Sequence, residues 1–428
     1  MLITLNHVLA MARKQNRRYK LLVAPAHYMV SDSEGSESYT SYKIVSELAK
    51  RGHELVIITA LWRVKDWPYP NARVISMVPN GRHGGTLRES WRHWRFPQFV
   101  RRTGLKLLAK EDFDLIYHLR PSSVNTANPL FWADHQHPHL MGPMLPPQKY
   151  TSPHDMTTWL GTKPGPAEPL INLAYRLTKG RLHRNFKRTI QDVDWMICVS
   201  KEAKQVYQQY IPPERIRIIP FGVEVTGRVA TPRPAAKPVR ILALAKIVER
   251  KGLDVLLEAM QLLQAEQCPV TLDIVGYGPA LPSLKKQAVR LKLGKAVRFR
   301  GRLQHSEIWP AYQAADIFCS PSRYESFGHT FLEAMSAGLP VVGTTTGGSS
   351  EIITPREGLL VPPEDVPALA AALRTLVNNP TRRIRMAKAA RQRVLRHFAW
   401  DRISEQYEQT MYDVVHGKKP TKQRQAIK

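Results

Sequence analysis

Apolar residues along the 428-residue chain fall into short unbroken runs separated by stretches of helical spacing. In the first half the runs are Tyr19–Ala24, Leu55–Thr59, Phe113–Leu119, Asp194–Ser200 and Ile216–Pro220. In the second half they are Val239–Ile247, Asp316–Ser320, Leu339–Gly343 and Gly358–Val361. Such runs suit strands buried on both faces of a parallel sheet. Helical patterning predicts helices from the Gly35-Ser36-Glu37 loop to about Lys50, over Asn172–Ile190, over Lys201–Tyr210, from Gly252, over His329–Ala337, from Asp365 to about Asn378 and over Phe398–Val415. Gly338 stands where a left-handed C-cap sits, and Pro340 prevents the helix from continuing. Strand and helix therefore alternate in βαβ order, and ligands of such sheets lie beyond the carboxyl ends of the strands.

The chain exceeds one ordinary core, so two domains are expected. The Thr-, Pro- and Ala-rich segment Thr226–Pro238 has almost no apolar periodicity and reads as the linker. The expected organisation is an extension over 1–18, a first α/β domain over 19–224, a linker over 225–238, a second α/β domain over 239–397, a terminal helix over 398–416 and a basic tail over 417–428.

The densest chemistry lies between Pro321 and Glu351. Glu325 falls in a loop and Glu333 about one turn into the following helix, so they read as separate hydroxyl acceptors. Gly328, at the helix start, removes the Cβ that would keep a diphosphate from backbone N–H groups whose dipole favours an anion. Gly347 and Gly348 offer a second approach before a helix expected at Ser350. Upstream, Lys246 and Lys251 flank a strand-to-helix turn that is hospitable to phosphate, and Val275-Gly276-Tyr277-Gly278-Pro279 ends another strand.

In the first half, His118 stands near a strand's carboxyl end, where open-sheet sites form. Leu87, Trp91 and Trp94 follow helical spacing among many arginines until Pro97 is expected to break it. That stretch reads either as a helix on the sheet with a solvated basic face or as a segment that docks on anionic lipid. His135, His137 and His139 alternate in a proline-rich loop, but neither a carboxylate nor a cysteine completes a metal set, and none is expected. Pro146–Pro166 reads as a long acceptor-side loop.

The net charge of +28 changes this picture little, because it divides evenly, +14 in each half. It suits an anionic donor, an anionic acceptor or an acidic membrane surface, and no recognised nucleic-acid module accompanies it. Cys198, Cys268 and Cys319 have no metal spacing and fit a reducing cytoplasm. The apolar start, Met1–Ala12, precedes its basic residues, the reverse of a secretory signal, and no apolar run approaches a membrane span. A cytoplasmic protein is expected, with a peripheral place on the inner face of the membrane as the further option.

Glu325-Ser-Phe-Gly-His-Thr-Phe-Leu-Glu333, with Glu-Ala-Met-Ser-Ala-Gly-Leu-Pro-Val-Val and Gly-Gly-x-x-Glu-Ile-Ile beside it, resembles the Glu-x7-Glu motif of the retaining glycosyltransferases of family four. The resemblance runs from about Tyr19 to Val415, strongly in the second half and weakly over residues 80–190. It implies a GT-B fold, in which two Rossmann-like domains face across a cleft and a C-terminal helix crosses back to the first. It implies transfer of a sugar from a nucleotide diphosphate sugar to a glycan or lipid-linked acceptor, with retention of configuration and no dedicated metal. It puts Lys246 and Lys251 on the diphosphate, with Arg250 the alternative where Lys246 replaces the family's Arg, Glu325 on sugar hydroxyls and Glu333 on the ribose. Gly35, Gly278, Ser326, Phe327, Gly328, His329, Thr330, Gly347 and Gly348 line the donor. His118 faces the sugar, with Tyr117 or Leu119 as alternative counterparts. Two departures stand out: Ser36 replaces a second glycine, and Phe221 stands where Asn is usual. A nucleotide-sugar epimerase or hydrolase of the same fold, and a basic binding module with a degenerate transferase fold, are the competing readings.

Overall fold

The computed structural model describes residues 18–26, 28–32, 36–78, 86–119, 128–146, 180–181, 183–225, 227, 229–230, 238–303 and 305–417. Among the described residues two sheets form, and every strand pair in them is parallel. The first contains β1 (Lys20–Val23), β2 (Met29–Ser31), β3 (Glu54–Arg63), β4 (Ala72–Val78), β5 (Leu115–Leu119), β6 (His139–Met144), β7 (Trp195–Cys198) and β8 (Ile216–Ile218). Its order is β2-β3-β1-β5-β6-β7-β8, with β4 also paired to β3. The second contains β9 (Val239–Leu244), β10 (Val270–Val275), β11 (Val297–Gly301), β12 (Ile317–Ser320), β13 (Val341–Thr344) and β14 (Gly358–Val361), ordered β11-β10-β9-β12-β13-β14. All five residues of β5 and all four of β12 are buried, as unbroken apolar runs require when both faces of a sheet are covered.

In the first domain helices α1 (Ser36–Lys50), α2 (Thr86–Leu108), α3 (Pro129–Ala133) and α4 (Lys201–Tyr207) join the strands. The second domain adds α5 (Leu253–Ala265), α6 (Leu281–Arg290), α7 (His305–Ala314), α8 (His329–Ser336), α9 (Gly347–Ile352), α10 (Val366–Asn378) and α11 (Pro380–His397). Helix α12 (Trp400–His416) buries Trp400, Ile403, Tyr407, Met411 and Val414, spaced three and four apart, in the core of the first domain beside Leu21 and Val23. This is the crossing helix the resemblance implies. Arg51 and His53 both hold Glu408 from the first domain, at 2.7 and 3.2 Å, and fasten it there.

Several expectations are corrected. Pro97 does not end α2, which runs through it. An interior proline costs about 3 kcal/mol, and burial of Phe96 and Val100, with Phe96 edge-on to Tyr28, offsets that locally. Arg95, Arg101, Arg102 and Lys106 on the same helix are exposed, whereas the side chains of Trp91 and Trp94 lie outside the described residues. His139 is not in a loop: it opens β6 at 0% exposure. Asp134 is the carboxylate missing from the sequence reading, and it accepts from His137 Nδ1 at 2.9 Å and His139 Nε2 at 3.0 Å. Burial opposes ionisation of Asp134, but the hydrogen bonds from His139 and His137 outweigh it and hold the carboxyl well below its ordinary range. The three make a structural latch, and among the described residues no group of three His, Cys, Asp or Glu stands close enough to hold a metal ion.

The extension over residues 1–17, most of the loop expected at Pro146–Pro166, residues 172–179 of the basic helix and the tail beyond 417 lie outside the described residues. The backbone over 183–191 is helical, as expected. No helix among the described residues is long and apolar enough to cross a membrane.

Candidate active site

The site is built where the carboxyl ends of β9 and β12 meet. Strand β9 ends at Leu244, and a tight 3-10 turn over Glu249–Lys251, rather than a plain loop, leads into α5. Gly252 follows with φ +61°, and a Cβ there would lie 2.0 Å from the Pro321 carbonyl oxygen. Only glycine combines that backbone with that approach, so the turn presses against the loop after β12.

The approach brings the expected cations and the first expected carboxylate together. Lys251 Nζ donates to Glu325 Oε2 at 2.5 Å. Arg250 Nη1 donates to the Tyr324 carbonyl at 3.0 Å and lies 4.0 Å from the same carboxylate oxygen. The side chains of Lys251 and Glu325 are 11% and 10% exposed. Burial favours a neutral Glu325, but Lys251 and Arg250 outweigh it and keep the carboxyl below its ordinary value, hence ionised. Lys246 is half-buried nearby, and burial together with the charge of Arg250 lowers its pKa. Lys246 and Arg250 thus stand close enough to repel, a potential that an anion relieves.

Arg323 secures this arrangement, a role local spacing did not reveal. Its guanidinium grips both Asp254 oxygens at 2.9 and 2.7 Å, Glu364 at 3.0 Å and the Glu249 carbonyl at 2.6 Å. Its partners lie 41 to 74 positions away. No periodicity reports a contact at that separation.

Gly328 caps α8 with φ +97°, a conformation that glycine adopts freely. The first amides of the helix, from His329 and Thr330, have no intrahelical acceptor by construction and create positive potential at its start. Ser326 and Thr330 beside it are half-buried, and Phe327 is buried. Gly347 and Gly348 correct the second expected approach: α9 already begins at Gly347, not at Ser350. A Cβ on Gly347 would meet the Glu325 carbonyl at 2.5 Å, and one on Gly348 the Phe327 Cα at 2.3 Å. These glycines let α9 sit against the Glu325 loop. Gly278 similarly admits the Ile247 carbonyl, 2.1 Å from where a Cβ would be.

Glu333, on α8, accepts from the Tyr312 hydroxyl at 2.8 Å. Burial first, and the charge of Glu224 to a lesser degree, raise its pKa to about 7 against the pull of Tyr312. It lines a small cleft of about 90 Å³ between the domains, with Tyr39, Thr40, Glu224, His329 and Trp309 among its walls. Glu224 accepts from Lys43 Nζ at 2.8 Å and from the Tyr39 hydroxyl at 3.2 Å, which ties α1 to the exit of the first domain. Tyr39, Lys43, Glu224 and Tyr312 were not singled out from the sequence, because each acts through a partner on another element.

His118 does not join this group. It is 1% exposed, its ring meets Phe131 edge-on at 5.9 Å, and Nδ1 has no hydrogen-bond partner among the described residues. Burial alone pushes its pKa down to about 3, so the imidazole is neutral. In this structure the imidazole is closed to solvent. Gly35 lies outside the described residues.

Comparison with known proteins agrees with this geometry. Residues 230–393 match the model of glycosyl transferases group 1, and residues 35–226 match that of Glycosyltransferase Family 4. A glycogen synthase of Mycobacterium tuberculosis is 33% identical over 219 residues, covering 50% of this chain and 53% of that protein. A GDP-mannose-dependent monoacylated alpha-(1-6)-phosphatidylinositol monomannoside mannosyltransferase of Corynebacterium glutamicum is 35% identical over 168 residues, covering 38% and 44%. The chain thus spans about half the length of the curated relatives it matches. A sucrose-phosphate synthase of Thermosynechococcus elongatus superposes with a TM-score of 0.65 at 22% identity, over 94% of this chain and 100% of that one, and shares its fold. Two parallel α/β domains, a crossing helix and the paired family models lead to one assignment: the chain belongs to the GT-B glycosyltransferases of family four.

Proposed function

We propose that this protein transfers a sugar from a nucleotide diphosphate sugar to a glycan or lipid-linked acceptor, retaining the anomeric configuration. The observation that carries the reading is the cluster of half-buried Lys251 and Arg250 around buried Glu325, beside the glycine-capped start of α8.

Breaking the bond between sugar and diphosphate leaves negative charge on the departing group. Lys246, Arg250 and Lys251, with the amides after Gly328, supply fixed positive potential where that charge develops. Preorganised electrostatics of this kind usually contributes most to catalysis. One cation about 4 Å from a phosphate oxygen is worth about 4 kcal/mol near a protein surface. Such a cluster replaces a metal ion in this reading. Glu325, fixed by Lys251, has acceptor capacity left for sugar hydroxyls, and Glu333 takes the ribose. The acceptor hydroxyl loses its proton to the leaving diphosphate on the same face of the sugar.

For the acceptor, the relatives' names cover both a glucan and a phosphatidylinositol mannoside. The exposed Arg95, Arg101, Arg102 and Lys106 of α2 and Arg184 and Lys187 of the neighbouring helix support a peripheral place on an anionic membrane surface. Sedimentation with anionic vesicles at rising salt tests that part, and binding that ignores salt contradicts it.

Lys251→Ala, Glu325→Ala and Glu333→Ala proteins assayed for sugar transfer and donor hydrolysis test the mechanism. Wild-type turnover in the lysine variant contradicts the electrostatic argument. Thermal-shift screening across uridine, guanosine and adenosine diphosphate sugars identifies the donor, since a ligand that binds only the folded state raises its stability.

A further inference from the structure

Phe221 lies at the exit of the first domain, 2% exposed. Its ring stacks on His329 at 4.7 Å and 16°, and meets Phe327 edge-on at 4.8 Å and 79°. These are the two residues on either side of Gly328. One ring from outside the second domain therefore touches both neighbours of the glycine that opens α8. His329 is held from a second direction, because its Nε2 lies 3.4 Å from Thr40 Oγ1 on α1 of the first domain. Phe221 is itself fixed from behind. A Cβ on Gly222 would meet the Trp400 ring at 2.5 Å, and the Val223 amide donates to the Phe398 carbonyl at 2.8 Å. The crossing helix thus presses the domain exit against the start of α8.

We propose that Phe221 is a positioning residue for the donor diphosphate: its ring, with Thr40, holds His329 and Phe327 so that the amides at the start of α8 face the phosphates. The inference rests on the transferase reading above. It adds that the donor loop is aligned by the acceptor domain, through Phe221 and α1, and not by the second domain alone. A loop with Gly at its turn has broad backbone freedom when unconstrained, and aromatic packing on both flanking side chains removes it. An Asn at this position has no ring to stack. The aromatic at 221 is therefore matched to His329 in this chain.

The test compares wild type, Phe221→Leu, His329→Leu and the double variant, with binding of UDP, GDP and ADP and steady-state donor kinetics as readouts. Each single variant is expected to weaken the preferred nucleoside diphosphate about two- to tenfold, the range an aromatic pair supplies. The double variant is expected to be no weaker than the worse single, since the two act as one unit. Donor KM rises, and unliganded melting is recorded beside it to separate lost stability from lost positioning. Equal diphosphate affinity in wild type and Phe221→Leu overturns the inference and leaves the transferase reading intact, as do strictly additive single effects. Failure of all three diphosphates to bind wild type overturns both. Should Phe221→Leu not fold, Thr40→Val carries the same test on the other hold of His329, and unchanged affinity there overturns the inference.

Discussion

Lys251 Nζ and Glu325 Oε2 stand 2.5 Å apart although 74 positions separate them in the chain. Glu325 is buried and the Lys251 side chain is only 11% exposed, so each supplies a counter-charge to the other where water is scarce. Breaking a buried pair by removing one partner commonly costs about 3–5 kcal/mol, because a lone charge stays behind.

Lys251→Met is accordingly expected to lower stability by about 3 kcal/mol. The double variant Lys251→Met/Glu325→Gln is expected to recover most of that loss without recovering transfer. Urea denaturation of both, beside wild type, checks it. A single variant as stable as wild type removes the claim that the pair is interdependent.

Glu333 predicts a pH dependence. Its folded pKa of about 7 lies above the ordinary 4.5, so the folded state binds the proton more tightly than the unfolded chain. Its contribution is complete below about pH 4.5 and fades as pH rises towards 7. Relative to Glu333→Gln, wild type is expected to lose up to about 3 kcal/mol across that window. Denaturation midpoints of the two proteins at several pH values measure the difference, and parallel curves contradict it.

His118 predicts the opposite limb. Its folded pKa of about 3 lies below the ordinary 6.5, so acid pulls protons onto the unfolded chain first. Wild type should lose stability against His118→Gln by roughly 1.4 kcal/mol per pH unit below 6.5. A difference that stays flat from pH 7 to pH 5 rules out a neutral buried imidazole.

Arg323 anchors the start of α5 to the Glu325 loop with a two-pronged grip on Asp254, and the 3-10 turn through the Glu249 carbonyl. Arg323→Lys keeps the charge but loses the fork. Donor KM is expected to rise by about tenfold, equivalent to about 1.4 kcal/mol. Melting should fall by a few degrees. Unchanged KM would place Arg323 outside the alignment of the donor loop.

Much of the architecture was legible beforehand because it depends on local pattern. Unbroken apolar runs such as Leu115–Leu119 and Ile317–Ser320 announce buried parallel strands, and Gly338 with Pro340 marks where α8 stops. The boundaries that failed did so where distant packing outweighed a local rule. Pro97 ought to break a helix, and burial of Phe96 and Val100 carries α2 through it. The helix expected at Ser350 already starts at Gly347, whose neighbourhood is crowded by the Glu325 and Phe327 backbones.

By itself, the sequence determined the two parallel α/β units, the terminal helix and the roll of charged and glycine residues between Lys246 and Glu333, since periodicity and turn chemistry act over a few residues. Only the tertiary structure decided which of those charges meet. It paired Lys251 with Glu325, gave Glu333 to Tyr312, set Phe221 on His329 and withdrew His118 into the core. The reason is that Coulomb attraction, desolvation and ring packing depend on distance in space. In a fold where β9 and β12 lie side by side, with Ile317 opposite Ile241, distance along the chain does not report it.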